Sequence, residues 1–200
     1  RDADRSRGLG DVYKRQVNTL VRVDGGYKGY NTDMTGLYRA MSSDGVSIQG
    51  EQVIVLGAGG VGRAVAFMCA AKGAAHVWLL NRTVEKADEV AKEVNLAEGR
   101  SCVEALAMSD YDKLPDEKYL VIQSTSVGLY PHVEDAVITD PAFYHKVKAG
   151  YDLIYRPWET RFMQLVKEQG APAYNGLKML LYQGIEAVSY THLRAHETDQ

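Results

Sequence analysis

Hydrophobic positions along the chain fall into short continuous runs that alternate with helically spaced ones. "QVIVL" (52–56) is apolar after its first residue and only five residues long, as a strand buried on both faces would be. Glycines follow, and then "GGVGRAVAFMCAAKG", a helix-length stretch that Gly73 closes. "HVWLL" (76–80) predicts a second strand and "TVEKADEVAKEV" (83–94) a second helix capped by Thr83. Further strands are predicted at "YLVIQ" and "YDLIY", with helices at "TRFMQLVKEQG" and "LKMLLYQGIEA". Upstream, "VNTLVRVDGGYKGY" alternates around Asp24-Gly25-Gly26 and reads as a hairpin. In "NTDMTGLYRAMSSDG", Thr32 or Asp33 would cap a helix that carries Leu37, Tyr38 and Met41 on one face. Strands alternating with helices predict parallel βαβ units and an α/β, doubly wound parallel sheet.

Composition narrows the function classes. With 200 residues, 46% of them hydrophobic and 24% charged, the chain can bury one sizeable core. A net charge of -3 gives no basic footprint for nucleic acid and no polybasic membrane patch, and no apolar run is long enough to span a bilayer. Cys69 and Cys102 lack metal-ligand spacing, as do His76, His132 and His145, so no metal is expected and a reduced, cytoplasmic setting is. The charge cluster "DKLPDEK" reads as a solvated loop.

The two ends read differently from the middle. "SRGLGDVYKRQ" (6–16) can be written in codons whose reverse complement, in a shifted frame, translates to "VSYTHLRAHE" (188–197). Opposite strands of one DNA segment at both ends resemble a sequencing adapter read through. Residues 1–16 and 188–200 are therefore expected to lie outside the fold.

The chemistry is concentrated at Gly57-Ala58-Gly59-Gly60-Val61-Gly62, which follows a predicted strand and opens a helix. The first glycine permits the tight turn, the second lets backbone amides approach a pyrophosphate, and the third allows close helix packing. At the end of the next strand stands Asn81-Arg82-Thr83 rather than the carboxylate that would grip the ribose hydroxyls of NAD. A guanidinium there can pair with a 2′-phosphate, and Lys86 lies on the same helical face, so NADP is the cofactor this pattern implies.

Seven pieces in order, "VNTLV", "GYNTDMTG", "VLGAGGVGRA", "NRT", "STSVG", "DLIYRPWET" and "NGLKMLLYQ", resemble the shikimate dehydrogenase family. The resemblance implies NADP-dependent, reversible oxidation of shikimate to 3-dehydroshikimate, a small-molecule substrate, a monomer or homodimer, and a Rossmann-type domain beside a substrate domain. On this chain that becomes an end of the substrate domain with its connecting helix over 17–47, the nucleotide-binding domain over 48–174, and a returning helix over 175–187. By the same resemblance Asp33 is the catalytic aspartate, and Asn18, Tyr155 and Gln183 contact substrate. Gly57, Ala58, Gly59, Gly60, Val61, Gly62, Asn81, Arg82, Thr83, Lys86, Ser124, Thr125, Ser126, Leu153 and Gly176 would surround the cofactor. Gln123 and Ser124 replace the family's commoner Asn-Ala. The lysine that partners the aspartate belongs upstream of "VNT", where Lys14 is part of the adapter-like stretch, so this chain is expected to be a nearly inactive cofactor-binding fragment. The Met and aromatic positions of "FMCAA" and "MLLY" read as core, while Leu177, Leu180, Leu181 and Ile185 of the last helix would be partly exposed in the fragment.

Two other functions fit parts of the pattern: a quinate/shikimate dehydrogenase using NAD or either cofactor, which Arg82 and Lys86 argue against, and a non-catalytic metabolite sensor of the same fold, which the presence of Asp33 argues against.

Overall fold

The computed structural model describes residues 18–23 and 26–189. Lys14 and the adapter-like stretch over 1–16 lie outside them, as do the central residues of the hairpin, Asp24 and Gly25. The chain separates into two compact units: residues 45–177 form the larger one, and the segments before 45 and after 177 form the other.

In the larger unit a six-stranded sheet is wholly parallel. Its strands are β3 (Gln52–Leu56), β4 (His76–Asn81), β5 (Val103–Ala107), β6 (Tyr119–Gln123), β7 (Val147–Asp152) and β8 (Ala173–Tyr174), in spatial order β5-β4-β3-β6-β7-β8. The order reverses between β3 and β6, so a crevice opens at the carboxyl ends of these two strands, as in dinucleotide-binding α/β sheets. Helices α2 (Gly60–Ala71) and α3 (Val84–Glu98) pack on β3, β4 and β5. On the other side, Phe143 and Tyr144 of α4 (Pro141–Tyr144) and Phe162 and Val166 of α5 (Arg161–Glu168) form one core with Ile54 and Val121. Burial on both faces explains why β3 and β6 read as apolar runs rather than alternating ones.

The other unit holds an antiparallel hairpin, β1 (Thr19–Val23) and β2 (Gly26–Tyr30), with helix α1 (Thr32–Ser43) and most of α6 (Leu177–Val188). Leu37, Ala40 and Met41 of α1 are buried. Helix α6 approaches α1 at Gly36, where a Cβ would stand 2.7 Å from the Gln183 backbone nitrogen and 2.9 Å from the Met179 carbonyl oxygen.

Several details differ from the pattern-based expectations. The cap of α1 is neither Thr32 nor Asp33 but Asn31, whose side chain accepts from the Asp33 amide at 2.9 Å, because Thr32 already turns with the helix and its hydroxyl donates to Asn18. The strand expected over 151–155 runs over 147–152 instead. The Asp152 carboxylate accepts the Ile154 N–H at 2.9 Å, an Asx turn that takes the chain out of the sheet after Asp152. β5, β8 and α4 escaped the pattern: they are short, and β5 is an edge strand with an exposed Glu104 at its second position. The charge cluster is not wholly loop, since Asp112 and Lys113 end a 3-10 turn over Met108–Lys113 and Leu114 is buried. Met179 and Tyr182 of "MLLY" are half-buried rather than core, while Leu180 and Leu181 are exposed, as expected of them. Helix α6 also continues through Val188, one residue into the adapter-like stretch, and the Ser189 hydroxyl donates to the Ile185 carbonyl at 2.9 Å.

Candidate functional site

In the smaller unit three polar side chains converge. Asn18, just before β1, donates through Nδ2 to Asp33 Oδ1 at 2.6 Å, and Gln183 on α6 donates through Nε2 to the same oxygen at 2.9 Å. The Asn18 amide oxygen is itself held by the Thr32 N–H at 3.0 Å, by the Thr32 hydroxyl at 3.2 Å and by the Thr19 hydroxyl at 3.1 Å, so Asn18 has one orientation. Gly36, one turn beyond Asp33, is what lets α6 come close enough for Gln183 to reach. Burial pushes the Asp33 carboxyl above its ordinary range, and the Asn18 hydrogen bond pulls it partly back. Among the described residues Asp33 forms no ion pair, and its Oδ2 has no hydrogen-bond partner. This constellation spans most of the described chain, since 150 residues separate Asp33 from Gln183.

In the larger unit the glycine turn lies at the carboxyl end of β3. Gly57 has φ +104°, which only glycine adopts readily. A Cβ on Gly62 would stand 1.9 Å from the Gly57 carbonyl oxygen, so α2 can start directly over the turn only without a side chain there. Around Gly59 the space is open, with nothing within 4 Å of an added Cβ, and Gly59, Gly60 and Val61 are exposed. The amides of the first turn of α2 have no carbonyl one turn back to bind, so they and the positive helix end are directed at this open side. The Ala58 amide is not among them: it donates to Asn81 Oδ1 at 3.0 Å, while Asn81 Nδ2 donates to the Thr83 carbonyl at 2.8 Å. Asn81 thus links the glycine turn to the end of β4.

Arg82, Thr83 and Lys86 are exposed at the start of α3. Thr83 occupies the N-cap position but its hydroxyl makes no cap bond, and among the described residues neither Arg82 nor Lys86 forms an ion pair. The turn after β6 is folded by Gln123, which is fully buried. Its Oε1 accepts from the Thr125 N–H at 2.5 Å and its Nε2 donates to the Val127 carbonyl at 3.2 Å. Ser124 donates its hydroxyl to Leu56 O at 2.8 Å, with a longer contact of 3.2 Å to Gly57 O, so it braces the glycine turn. Thr125 Oγ1 accepts from the Val127 N–H at 3.1 Å, and Ser126 is exposed. Leu153 donates its N–H to the Gln123 carbonyl at 3.0 Å, and Gly176 donates its own to the Ile154 carbonyl at 3.0 Å while lying against the Leu153 backbone. Tyr155 follows this pinned segment and is half exposed.

Sequence reasoning passed over Gln123 as an organiser of its turn and Asp152 altogether. Asp152 accepts from the Thr160 hydroxyl at 2.6 Å and, fully buried, has its carboxyl pushed up to about 6. The one available signal was an acidic residue at the end of an apolar strand. Among the described residues no cluster of His, Cys, Asp or Glu is arranged to hold a metal ion, and no helix is long and apolar enough to cross a membrane.

Comparison with known proteins agrees with this fold. The sequence model of the shikimate / quinate 5-dehydrogenase family matches residues 40–139. A shikimate dehydrogenase (NADP(+)) of Methanosarcina barkeri is 37% identical over 172 residues, which are 86% of this chain and 61% of that protein. Among solved structures, shikimate 5-dehydrogenase of Listeria monocytogenes in complex with shikimate and NAD superposes with a TM-score of 0.81 at 27% identity, over 90% of this chain and 64% of that one. The Thermus thermophilus enzyme in complex with NADP(H) and shikimate superposes with a TM-score of 0.71 at 33% identity, over 91% and 64%. The chain spans about three fifths of the length of the curated relatives it matches. With its Rossmann-type sheet, its glycine turn and this match over half its length, the chain belongs to the shikimate/quinate 5-dehydrogenase family.

Proposed function

We propose that this chain is the cofactor-binding part, with the adjoining aspartate, of an NADP-dependent shikimate dehydrogenase. The carrying observation is the pairing of an open glycine turn under the start of α2 with two exposed cations, Arg82 and Lys86, that no carboxylate among the described residues neutralises. The cradle fits a dinucleotide: nothing stands within 4 Å of a Cβ at Gly59, so the open side can admit a pyrophosphate against the first-turn amides of α2. Asn81 stands where an NAD-binding protein would place its carboxylate, and a guanidinium next to it suits a 2′-phosphate. NADP supplies the hydride acceptor for oxidation of a secondary alcohol.

The polypeptide's own task in that reaction is to handle the hydroxyl proton. Asp33 presents Oδ2 for this, while Asn18 and Gln183 hold Oδ1 and so fix the plane of the carboxyl group. Its described partners are amides rather than a cation. The lysine implied by the family resemblance would come from the further two fifths that the relatives possess, and the chain alone is proposed to turn over poorly.

Titration of this chain with NADP+ and NAD+ by calorimetry tests the reading. NADP+ is expected to bind tighter, and Arg82→Ala with Lys86→Ala to cost NADP+ roughly 10- to 100-fold in affinity with little effect on NAD+. Equal or better binding of NAD+ would move the chain to an NAD-using quinate/shikimate enzyme, and absence of binding by either would overturn the proposal.

A further inference from the structure

The peptide between Gly57 and Ala58 is gripped at both ends by side chains that stand where two different strands end. Its N–H, from Ala58, donates to Asn81 Oδ1 at 3.0 Å at the end of β4. Its carbonyl, from Gly57, is tucked beneath Gly62 with the Ser124 hydroxyl 3.2 Å away at the end of β6, and the same hydroxyl reaches Leu56 O at 2.8 Å. Gly57, at φ +104° and without a Cβ, places little steric restraint on rotation of this peptide. Rotated by half a turn, it would point the Gly57 carbonyl toward the open side of the turn, where an anion must lie, and would break the Asn81 bond. The two side chains oppose that rotation from opposite ends.

We propose that Asn81 and Ser124 form a peptide clamp that holds the glycine turn in its anion-accepting form before any ligand arrives, Ser124 being a positioning residue rather than a cofactor contact. The clamp rests on the dinucleotide reading only for its purpose, not for its existence. Its rationale is preorganisation: a turn already oriented loses no affinity to sorting peptide orientations on binding. An alanine at 124 could not do this, because it would leave the Gly57 carbonyl under α2 without the hydroxyl.

The experiment compares this chain with its Ser124→Ala variant in two measurements. Amide hydrogen exchange without ligand reads the clamp directly: the Ala58 amide is expected to exchange about three- to tenfold faster in the variant, with the β3 amides of Val53–Val55 unchanged. In ligand titrations, NADP+ affinity is expected to fall by about the same factor, while adenosine 2′-monophosphate, which has no pyrophosphate, binds both proteins equally. Unchanged Ala58 exchange overturns the clamp whether or not NADP+ binds. Faster exchange spread over β3, or equal weakening of both ligands, also overturns it, since that marks a general loss of stability. Faster Ala58 exchange in the variant, together with a wild-type chain that does not bind NADP+, upholds the clamp and defeats the cofactor reading instead.

Discussion

Asp152 stands at the end of β7 with its carboxyl group fully buried, accepting one hydrogen bond from the Ile154 amide and one from the Thr160 hydroxyl. Burial raises its pKa to about 6, the two hydrogen bonds opposing the rise, whereas an unfolded aspartate titrates near 3.9. The folded state holds the proton more tightly, so this contribution to stability is complete below about pH 4 and is lost as the pH rises through about 6. Asp152→Asn keeps the shape and an acceptor oxygen without the charge. It is expected to flatten the pH dependence of the urea midpoint over that window and to gain at most about 3 kcal/mol near pH 7. A variant whose midpoint still falls like wild type would assign the slope to another group. The same position explains a sequence-level miss: the pattern carried the strand on to Tyr155, because an aspartate that folds the backbone back on itself looks, in one dimension, like a polar interruption.

At the scale of elements, two close approaches govern which side chains meet. Gly62 allows α2 to begin over the Gly57 carbonyl, and Gly62→Ala would place a methyl group against backbone that cannot swing aside. That substitution is expected to cost about 3 kcal/mol in chemical denaturation and to abolish NADP+ binding; a stable variant that still binds would mean the turn has room to shift. Gly36 does the same for α1 and α6. Gly36→Ala is expected to force the helices apart and break the Gln183–Asp33 hydrogen bond, at a cost of about 1–3 kcal/mol to the smaller unit. Hydrogen exchange should then quicken along α6 but not in the six-stranded sheet, and equal exchange in α6 would contradict it. Both glycines were quoted in motifs, yet only Gly62 had a reason attached. Gly36 is a helix-interior glycine whose purpose depends on a partner about 150 residues away.

For the whole molecule, the two units differ in how well they are covered. The sheet of the larger unit is packed on both faces, whereas α6 has no buried residue, and Leu181 and Val188 are each 58% exposed. Ion pairs from Lys178 to Asp44 and from Arg39 to Glu186, with Arg39 also over the Tyr182 ring, hold α6 on α1 through its polar side. Pairs of this exposed kind contribute little each, on the order of 0–1 kcal/mol. Limited proteolysis is therefore expected to cut within α6 before it cuts the sheet, and Leu181→Glu to raise solubility without lowering the melting temperature. Complete protection of α6, or a melting temperature lowered by that substitution, would show that the apolar face is covered in solution.

By itself the sequence determined the alternation of strand and helix, the glycine turn with its helix, and the choice of Arg82 and Lys86 over a carboxylate. These are local: they follow from burial on both faces of a strand, from backbone geometry at a turn, and from charge at one strand end. Only the tertiary structure decided that Asn18 and Gln183 share one oxygen of Asp33, that Asn31 rather than Thr32 caps α1, and that Ser124 and Asn81 meet at one peptide. The first and the last depend on bringing distant backbone segments within hydrogen-bond distance, and the cap falls to Asn31 where the Thr32 hydroxyl is drawn to Asn18, fourteen residues away. Spacing along a chain carries no information about that, because it is set by packing between elements rather than within them.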